Sequence, residues 1–375
     1  MLIQVRLTIE VNPMSDWLDL LRKLCATPGV SGFEDKVATL VSAELRKEVD
    51  SVQKDQMGNI FGTRRGLSKN GPTIMVTAHM DEVGLIVKHI EETGFLRVQK
   101  LGGVPEVVLQ GQRVVVCGRR ESLPGLVGQK PAHIMSETER KTIGSIDDLY
   151  VDIGAANRKE AEEFGVEIGT PITFDREFCR IGKEFVTSKA IDNRVGVTAM
   201  LQVAKQLAQK DLESTICYVG TVQEEVGLRG ARVATERVRP DVALVLDGLH
   251  AGGTPDVADR VLPMRLGRGP AVTIAGSSQL HGFIANRRLR ECIAQVAGTE
   301  GIPLQHNVGI ASGVSDSGAV HLAGKGVATS DILVVRRYSH SPIEMVSLSD
   351  IENAIRLAVK VIPHLDSTFI KSLEE

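Results

Sequence analysis

The sequence predicts an α/β fold: a largely parallel or mixed sheet covered by helices on both faces, split in the chain by a small all-β unit. Three observations carry this. Strand-like apolar runs alternate with amphipathic helical segments at both ends of the chain, the pattern of a sheet covered by crossover helices. Between about residues 86 and 182 that pattern stops, and short β-branched runs alternate with glycine turns (Gly102-Gly103, Gly111, Gly118, Gly125, Gly128). The composition, with 37 Gly but only one Trp, three Tyr and nine Phe in 375 residues, suits many tight turns and a core of Val, Ile, Leu and Ala.

The elements follow in order. MLIQVRLTIEVNPM at the N-terminus alternates apolar and polar residues, which suits an added edge strand or an upstream start with Met14 as the natural one. Trp17, Leu20, Leu21 and Leu24 fall at helical spacing until Pro28-Gly29. Ser31-Gly32-Phe33-Glu34 reads as a capping box for a second helix with Val37, Leu40, Val41 and Leu45 on its face. Thr73–Val87 is strand-like, interrupted by His79, Asp81 and Glu82, and Gln112–Cys117 is a strand of the inserted unit. Beyond Ser188 the expectation is a helix over 193–209, a strand over 215–222, a short helix over 229–237, a strand over 242–246 and a helix over 287–298. A C-terminal helix presents Ile351, Ala354, Ile355, Ala358 and Ile362. The domain reading is therefore 1–85 and 183–375 as one α/β domain, with a β domain over 86–182 inserted.

Charge and cysteine content narrow the function. With 44 basic and 47 acidic residues the net charge is −3, which argues against a dedicated nucleic-acid binder. Five scattered cysteines without a Cys-x-x-Cys pair argue against a structural zinc or a disulfide framework and favour a reducing compartment. No apolar run reaches the roughly 18–20 residues that span a bilayer. The expectation is a soluble, cytoplasmic protein with no membrane partner.

Five places set metal-binding side chains where strands hand over to loops: His79 and Asp81, Asp192, Glu224-Glu225, Asp247 and His340. Each alone has an ordinary explanation, such as a structural imidazole or, for Asp192, a helix cap. Two adjacent anions at a strand end are harder to explain without a cation. Imidazole and carboxylate together favour zinc, cobalt or manganese. Two His and three carboxylates carry a net −3 against +4 from two divalent ions, and a bridging hydroxide closes the balance. One carboxylate must bridge such a pair of ions, and Asp192, central in the sequence and at a helix start, is the natural candidate. On extended backbone Glu224 and Glu225 point to opposite sides, so one binds metal and the other serves as general base. Asp81, two residues beyond His79, can fix the imidazole's orientation.

The motifs AHMDEVG (78–84), KAIDNR (189–194), QEEVGLRGA (223–231), LDGLHAG (246–252) and RYSHSPIEM (337–345) resemble those of the dinuclear metallo-aminopeptidases that form tetrahedral particles. These are the glutamyl and deblocking aminopeptidases, some labelled endoglucanases, and the resemblance runs from about Met14 to the C-terminus. It implies that Asp192 bridges two divalent ions, that His79 and Asp247 complete one site and Glu225 and His340 the other, that Glu224 is the general base, and that Asp81 orients His79. It implies a phosphorylase/hydrolase-like catalytic domain of zinc-peptidase type, an inserted β-barrel dimerisation domain, peptide substrates, and homo-oligomers up to a tetrahedral dodecamer. Spacing separates this family from carboxypeptidase-type and deacylase-type relatives, whose extra domain follows the fourth ligand. Here 111 positions separate Asp81 from Asp192 and only 93 separate Asp247 from His340. Asn193 after the bridging Asp falls within the family's variation, and Arg336-Arg337 adds charge beside the last ligand.

Competing readings are a metal-independent glycoside hydrolase using Glu224 and Asp247, a related dinuclear deacylase or carboxypeptidase, and a non-catalytic assembly protein. The shortage of aromatics weighs against a glucan groove. His250 reads as a loop-stabilising residue and His133 as packed within the insertion. His89, His281, His306, His321 and His364 are surface or structural. Residues 312–318 (SGVSDSG) form a polar turn near the pocket, not a nucleotide loop, and Met75 and Met80 are core fillers.

Overall fold

Four strands with near-continuous apolar runs, Thr215–Thr221, Thr73–His79, Val242–His250 and Ala328–Arg337, pair in parallel, in that order, at the centre of the molecule. A computed structural model of the chain describes residues 16–277, 282–310 and 315–373. Such runs belong in a sheet buried on both faces, and successive residues divide between two cores. Ile74, Val76, Ala78, Ile216, Leu244 and Leu246 meet the helices Asp16–Ala26, Asp35–Leu45, Ile191–Leu207, Arg287–Glu300 and Leu348–Val361. Met75, Cys217, Val219 and Ala243 face Arg229–Val238 and Ser317–Val320 on the other side. The side-chain period of two thus assigns each strand residue to a layer.

Antiparallel strands extend the sheet to both sides, Ile60–Arg64 and Ser51–Lys54 beyond Thr215–Thr221, and Glu344–Ser347, Phe185–Ser188 and Cys179–Ile181 beyond Ala328–Arg337. Among the described residues the sheet counts twelve strands, three of them, Ala271–Ser277, Phe283–Ile284 and Gln305–Ile310, branching from Ala328–Arg337. It is a mixed sheet sandwiched by helices. Between Thr73–His79 and Phe185–Ser188 the chain builds a closed six-stranded antiparallel barrel from Gly84–Ile90 to Pro171–Phe174. Its own core of Leu85, Val87, Leu96, Val98, Val114, Val116, Val151 and Ile172 is separate from those of the sheet.

Several local expectations give way to tertiary structure. The run Thr73–Val87 is two strands in two different sheets, because the chain leaves the main sheet at His79 and enters the barrel at Gly84. The capping box at Ser31 does not form: Ser31 donates its hydroxyl to Asp81 Oδ2 at 2.6 Å, and Glu34 Oε1 accepts from the Gly32 and Gln223 N–H groups. The helix starts without a side-chain cap. The insertion carries two short helices, Glu137–Lys141 and Arg158–Glu163, beside its strands. His133 lies exposed on it rather than packed. Met75 and Met80 are fully buried core residues, as expected. The N-terminal strand expected within residues 1–13, His281 and residues 312–314 lie outside the described residues.

Candidate metal centre

The carboxyl ends of the central parallel strands meet at Thr221, His79, His250 and Arg337, and the predicted site residues converge there. His79 is the last residue of its strand, and its Nε2 lies 3.4 Å from Asp192 Oδ1 and 3.6 Å from Asp247 Oδ1. His340 Nε2 lies 3.3 Å from Asp192 Oδ2 and 3.4 Å from Glu225 Oε2. His79, Asp192 and Asp247 therefore form one group with ligand atoms within 4.8 Å of each other, and Asp192, Glu225 and His340 form a second. Asp192 is common to both, one oxygen to each. Glu224 Oε2 is 3.9 Å from His79 Nε2, and His79, Glu224 and Glu225 make a third such group. All seven predicted residues are present in one place, six of them lining a cavity of about 310 Å³ with Asp81 behind His79.

Local structure sets these side chains. Both imidazoles have Nδ1 beside a carbonyl oxygen, Asp81 O at 3.1 Å from His79 and Gly103 O at 3.1 Å from His340. A neutral ring that donates there turns the lone pair of Nε2 toward the carboxylates. Gly103 belongs to the turn after the barrel strand Leu96–Leu101, so the insertion helps to orient a ligand. A Cβ at Gly103 would sit 3.0 Å from His340 Nδ1, which is why the turn is bare there. The Asp81 carboxylate lies 3.4 Å from His79 Nδ1 and also accepts the N–H groups of Glu224 and Glu225 at 3.0 and 3.1 Å. Glu224 and Glu225 do not diverge as extended backbone would require. The strand ends at Thr221, Gln223 has positive φ and a turn begins at Glu225, so both side chains face the same cavity.

Six described non-glycine residues have positive φ, and five of them (Ala190, Gln223, Leu228, Tyr338 and His340) flank the ligands or line the cavity. Such conformations cost roughly 1–3 kcal/mol each and persist where the surroundings over-determine them. The Asp192–Asn193 peptide is cis, and buried Asn193 donates from Nδ2 to Leu246 O at 2.9 Å, joining the Asp192 segment to the strand of Asp247.

The electrostatics are those of an anionic pocket. Burial, reinforced by Glu225, Asp247 and Asp316, raises the Glu224 carboxyl well above its ordinary pKa against the pull of His79. Burial pushes Glu225 up to about 7, aided by Asp81 and Glu344. Burial opposes charge on His79, yet Glu224, Asp247 and Asp81 outweigh it and hold the ring well above the usual imidazole range. Asp81 is also buried, but hydrogen bonding and charge from His79, with the Ser31 hydroxyl, keep its carboxyl below the usual range. Glu225 Oε1 is buried without a hydrogen-bond partner. Four clustered carboxylates with two inward-facing imidazole nitrogens and one orphaned oxygen make a donor set that suits divalent cations of the zinc, cobalt or manganese type.

Further residues of the site were hidden in the sequence. Glu344, inside the RYSHSPIEM motif, accepts the Asp192 and His340 N–H groups at 2.9 Å each and so fixes two ligand backbones at once. Arg336 is buried, pairs with Asp192 Oδ2, and lies 3.5 Å from Glu344 Oε1. Asp316, in the segment read as a polar turn, is buried, accepts from Thr221 Oγ1 at 2.5 Å, and is pushed up to about 7 by burial, with Asp247 and Asp81 adding to the rise. Glu82 forms a buried ion pair with Lys189 at 2.9 Å and accepts from Gly29 N and Thr173 Oγ1. Its signal was its place between Asp81 and the barrel. His250 combines two roles: its Nδ1 is 2.6 Å from Ser339 Oγ, and it lines the cavity. A larger hollow of about 970 Å³ sits at the amino ends of the central strands, near Asp241 and Ala328. It is not among the His/carboxylate groups found in the described residues. Chemistry rather than size singles out the site.

Known proteins share this fold over nearly the whole chain. An aminopeptidase from the archaeon Desulfurococcus kamchatkensis superposes with a TM-score of 0.91 at 39% identity, covering 96% of this chain and 98% of its own. The Pyrococcus horikoshii TET1 peptidase, which can assemble into a tetrahedron or a large octahedral shell, gives 0.82 at 30% identity, over 92% and 99%. The lysyl aminopeptidase of Pyrococcus furiosus is 35% identical over 355 residues, 94% of this chain and 98% of its own. The family model of the M42 glutamyl aminopeptidases matches residues 58–357, a stretch that holds every candidate ligand from His79 to His340. With fold and sequence in agreement, this chain belongs to the M42 glutamyl aminopeptidase family.

Proposed function

We propose that the protein is a dinuclear metal-dependent aminopeptidase that removes N-terminal residues from peptides. The observation that carries this reading is the pair of ligand groups sharing Asp192, with Glu224 beside them. In it His79 and Asp247 hold one divalent cation, Glu225 and His340 the other, and Asp192 serves both. Zinc or cobalt suits the donor set best, and manganese is accepted. When bound, the cations polarise the scissile carbonyl and lower the pKa of a water. Glu224 takes a proton from the attacking water and delivers it to the leaving amine nitrogen. Asp81 holds His79 and the backbone of the Glu224-Glu225 turn, so base and ligands keep their spacing.

The same reading assigns residues 1–85 and 183–375 to the catalytic domain and 86–182 to a dimerisation domain, with dimers assembling into a tetrahedral dodecamer in the cytoplasm. It is supported by the TET1 relative's assembly and by the lack, among the described residues, of a helix long and apolar enough to cross a membrane. The test is removal of metal by chelation, refilling with zinc, cobalt or manganese, and assay on a panel of chromogenic aminoacyl substrates. Cleavage should vanish on chelation and return on refilling. A glycoside hydrolase built on two carboxylates needs no cation and would act on glucans in the chelated state.

A further inference from the structure

The two halves of the site are not equivalent, and the difference lies in Arg336. This buried side chain pairs with Asp192 Oδ2, the oxygen that faces His340, while Asp192 Oδ1 faces His79. The position is built into the strands. Arg336 lies directly across from His250 in the register of Val242–His250 and Ala328–Arg337. A Cβ at Gly248 would lie 3.0–3.2 Å from Arg336 Nε, Cδ and Cζ, so the missing side chain opens the channel through which the guanidinium reaches the site. Other acceptors hold it weakly. Glu344 already accepts two backbone N–H groups and stands 3.5 Å from Arg336 Nε, and His250 Nδ1 is 3.5 Å from Nη1. Arg336 Nε has no hydrogen-bond partner.

We infer that Arg336 is a positioning residue that occupies the second half of the shared carboxylate and makes the Asp192–Glu225–His340 half the weaker cation site. The inference rests on the two-cation reading of the centre. A cation at the His79 half meets Asp192 Oδ1 free of the guanidinium. A cation at the His340 half must share Oδ2 with Arg336 or displace it, at close range in a buried pocket where like charges interact strongly. Loading is therefore stepwise, the His79 half first.

The experiment is a calorimetric titration of the chelated full-length protein with zinc chloride, repeated with cobalt chloride, for wild type, R336M and R336K. Wild type should take up two cations in two separated steps. R336M should tighten the weaker step by roughly tenfold or more, as expected for removal of a close buried charge, and leave the tighter step within about twofold. R336K, which keeps the cation, should keep the separation. If R336M does not fold, R336Q carries the same expectation. Two steps in wild type that R336M and R336Q leave unchanged or weaken would overturn this inference alone, as would two equal steps in wild type. Failure of wild type to bind a second cation would overturn it together with the two-cation reading.

Discussion

In the proposed mechanism Glu224 and Glu225 are neighbours with different tasks, and their surroundings differ accordingly. Glu225 faces His340 at 3.4 Å, while Glu224 approaches His79 no closer than 3.9 Å and is packed among Glu225, Asp247 and Asp316. A carboxylate kept proton-hungry by burial and anionic neighbours is suited to accept and return a proton once cations balance the pocket. E224Q should therefore keep both metal equivalents by elemental analysis and lose about 10²–10⁴-fold in kcat, with KM little changed. Full activity in that variant would assign the base elsewhere. At this scale most of the chemistry was legible, because donor types at strand ends survive any detail of packing. Three features were not. Ser31 looked like a helix cap, but a buried Asp81 needs a donor more than an exposed helix end does. The Glu pair looked divergent, since the turn that makes both converge depends on Asp81 accepting two backbone N–H groups. Arg336 read only as added charge, as its partner Asp192 lies 144 positions away.

Two segments that carry the site are joined beside the barrel. The crossing from the main sheet into the barrel holds His79, Asp81 and Glu82, and the segment after the main-sheet strand Phe185–Ser188 holds Lys189 and Asp192. The Glu82–Lys189 pair is buried, Arg194 Nη2 stands 3.6 Å from Glu82 Oε1, and Thr173 of the barrel donates to Glu82 Oε2. This cluster clips together two segments that each carry candidate ligands. E82Q would leave Lys189 and Arg194 buried with too little negative charge, so it should cost about 3–5 kcal/mol, measured by denaturant unfolding. The E82M/K189M double variant should recover part of that loss, since it removes both charges of the pair. Additive losses would show that the pair is not coupled. The sequence marked both segments as motifs, and the parallel core strands were visible as apolar runs. The barrel's closure was legible only through the family resemblance and not in the strand pattern, because pairing of Gly84–Ile90 with Pro171–Phe174 joins residues 85 and 87 positions apart.

For the molecule as a whole, the site is a concentration of negative charge that folding creates and that the proposed cations would relieve. Glu34, Glu225 and Asp316 are each pushed up to about 7, by burial first and by anionic neighbours such as Asp81 second. A carboxyl whose pKa rises on folding holds its proton more tightly in the native state. It stabilises fully below its unfolded pKa, and that contribution is lost as pH rises through about 7. Asp81 has the opposite sign, but its folded pKa lies below the usual carboxylate range, so its loss falls outside the window. The metal-free protein should accordingly lose roughly 5 °C or more in Tm between pH 5 and pH 8. Saturating zinc should raise Tm more at pH 8 than at pH 5, because the ligands must shed protons to bind. A metal-free Tm that climbs over this interval would contradict the burial of these groups. The central claim, that one shared carboxylate serves two cations for peptide hydrolysis, meets its most direct test in refilling the chelated protein while following metal content and aminoacyl-substrate cleavage together. The account predicts two equivalents of zinc or cobalt per chain and activity that is absent without them; undiminished cleavage by chelated protein free of metal would contradict it.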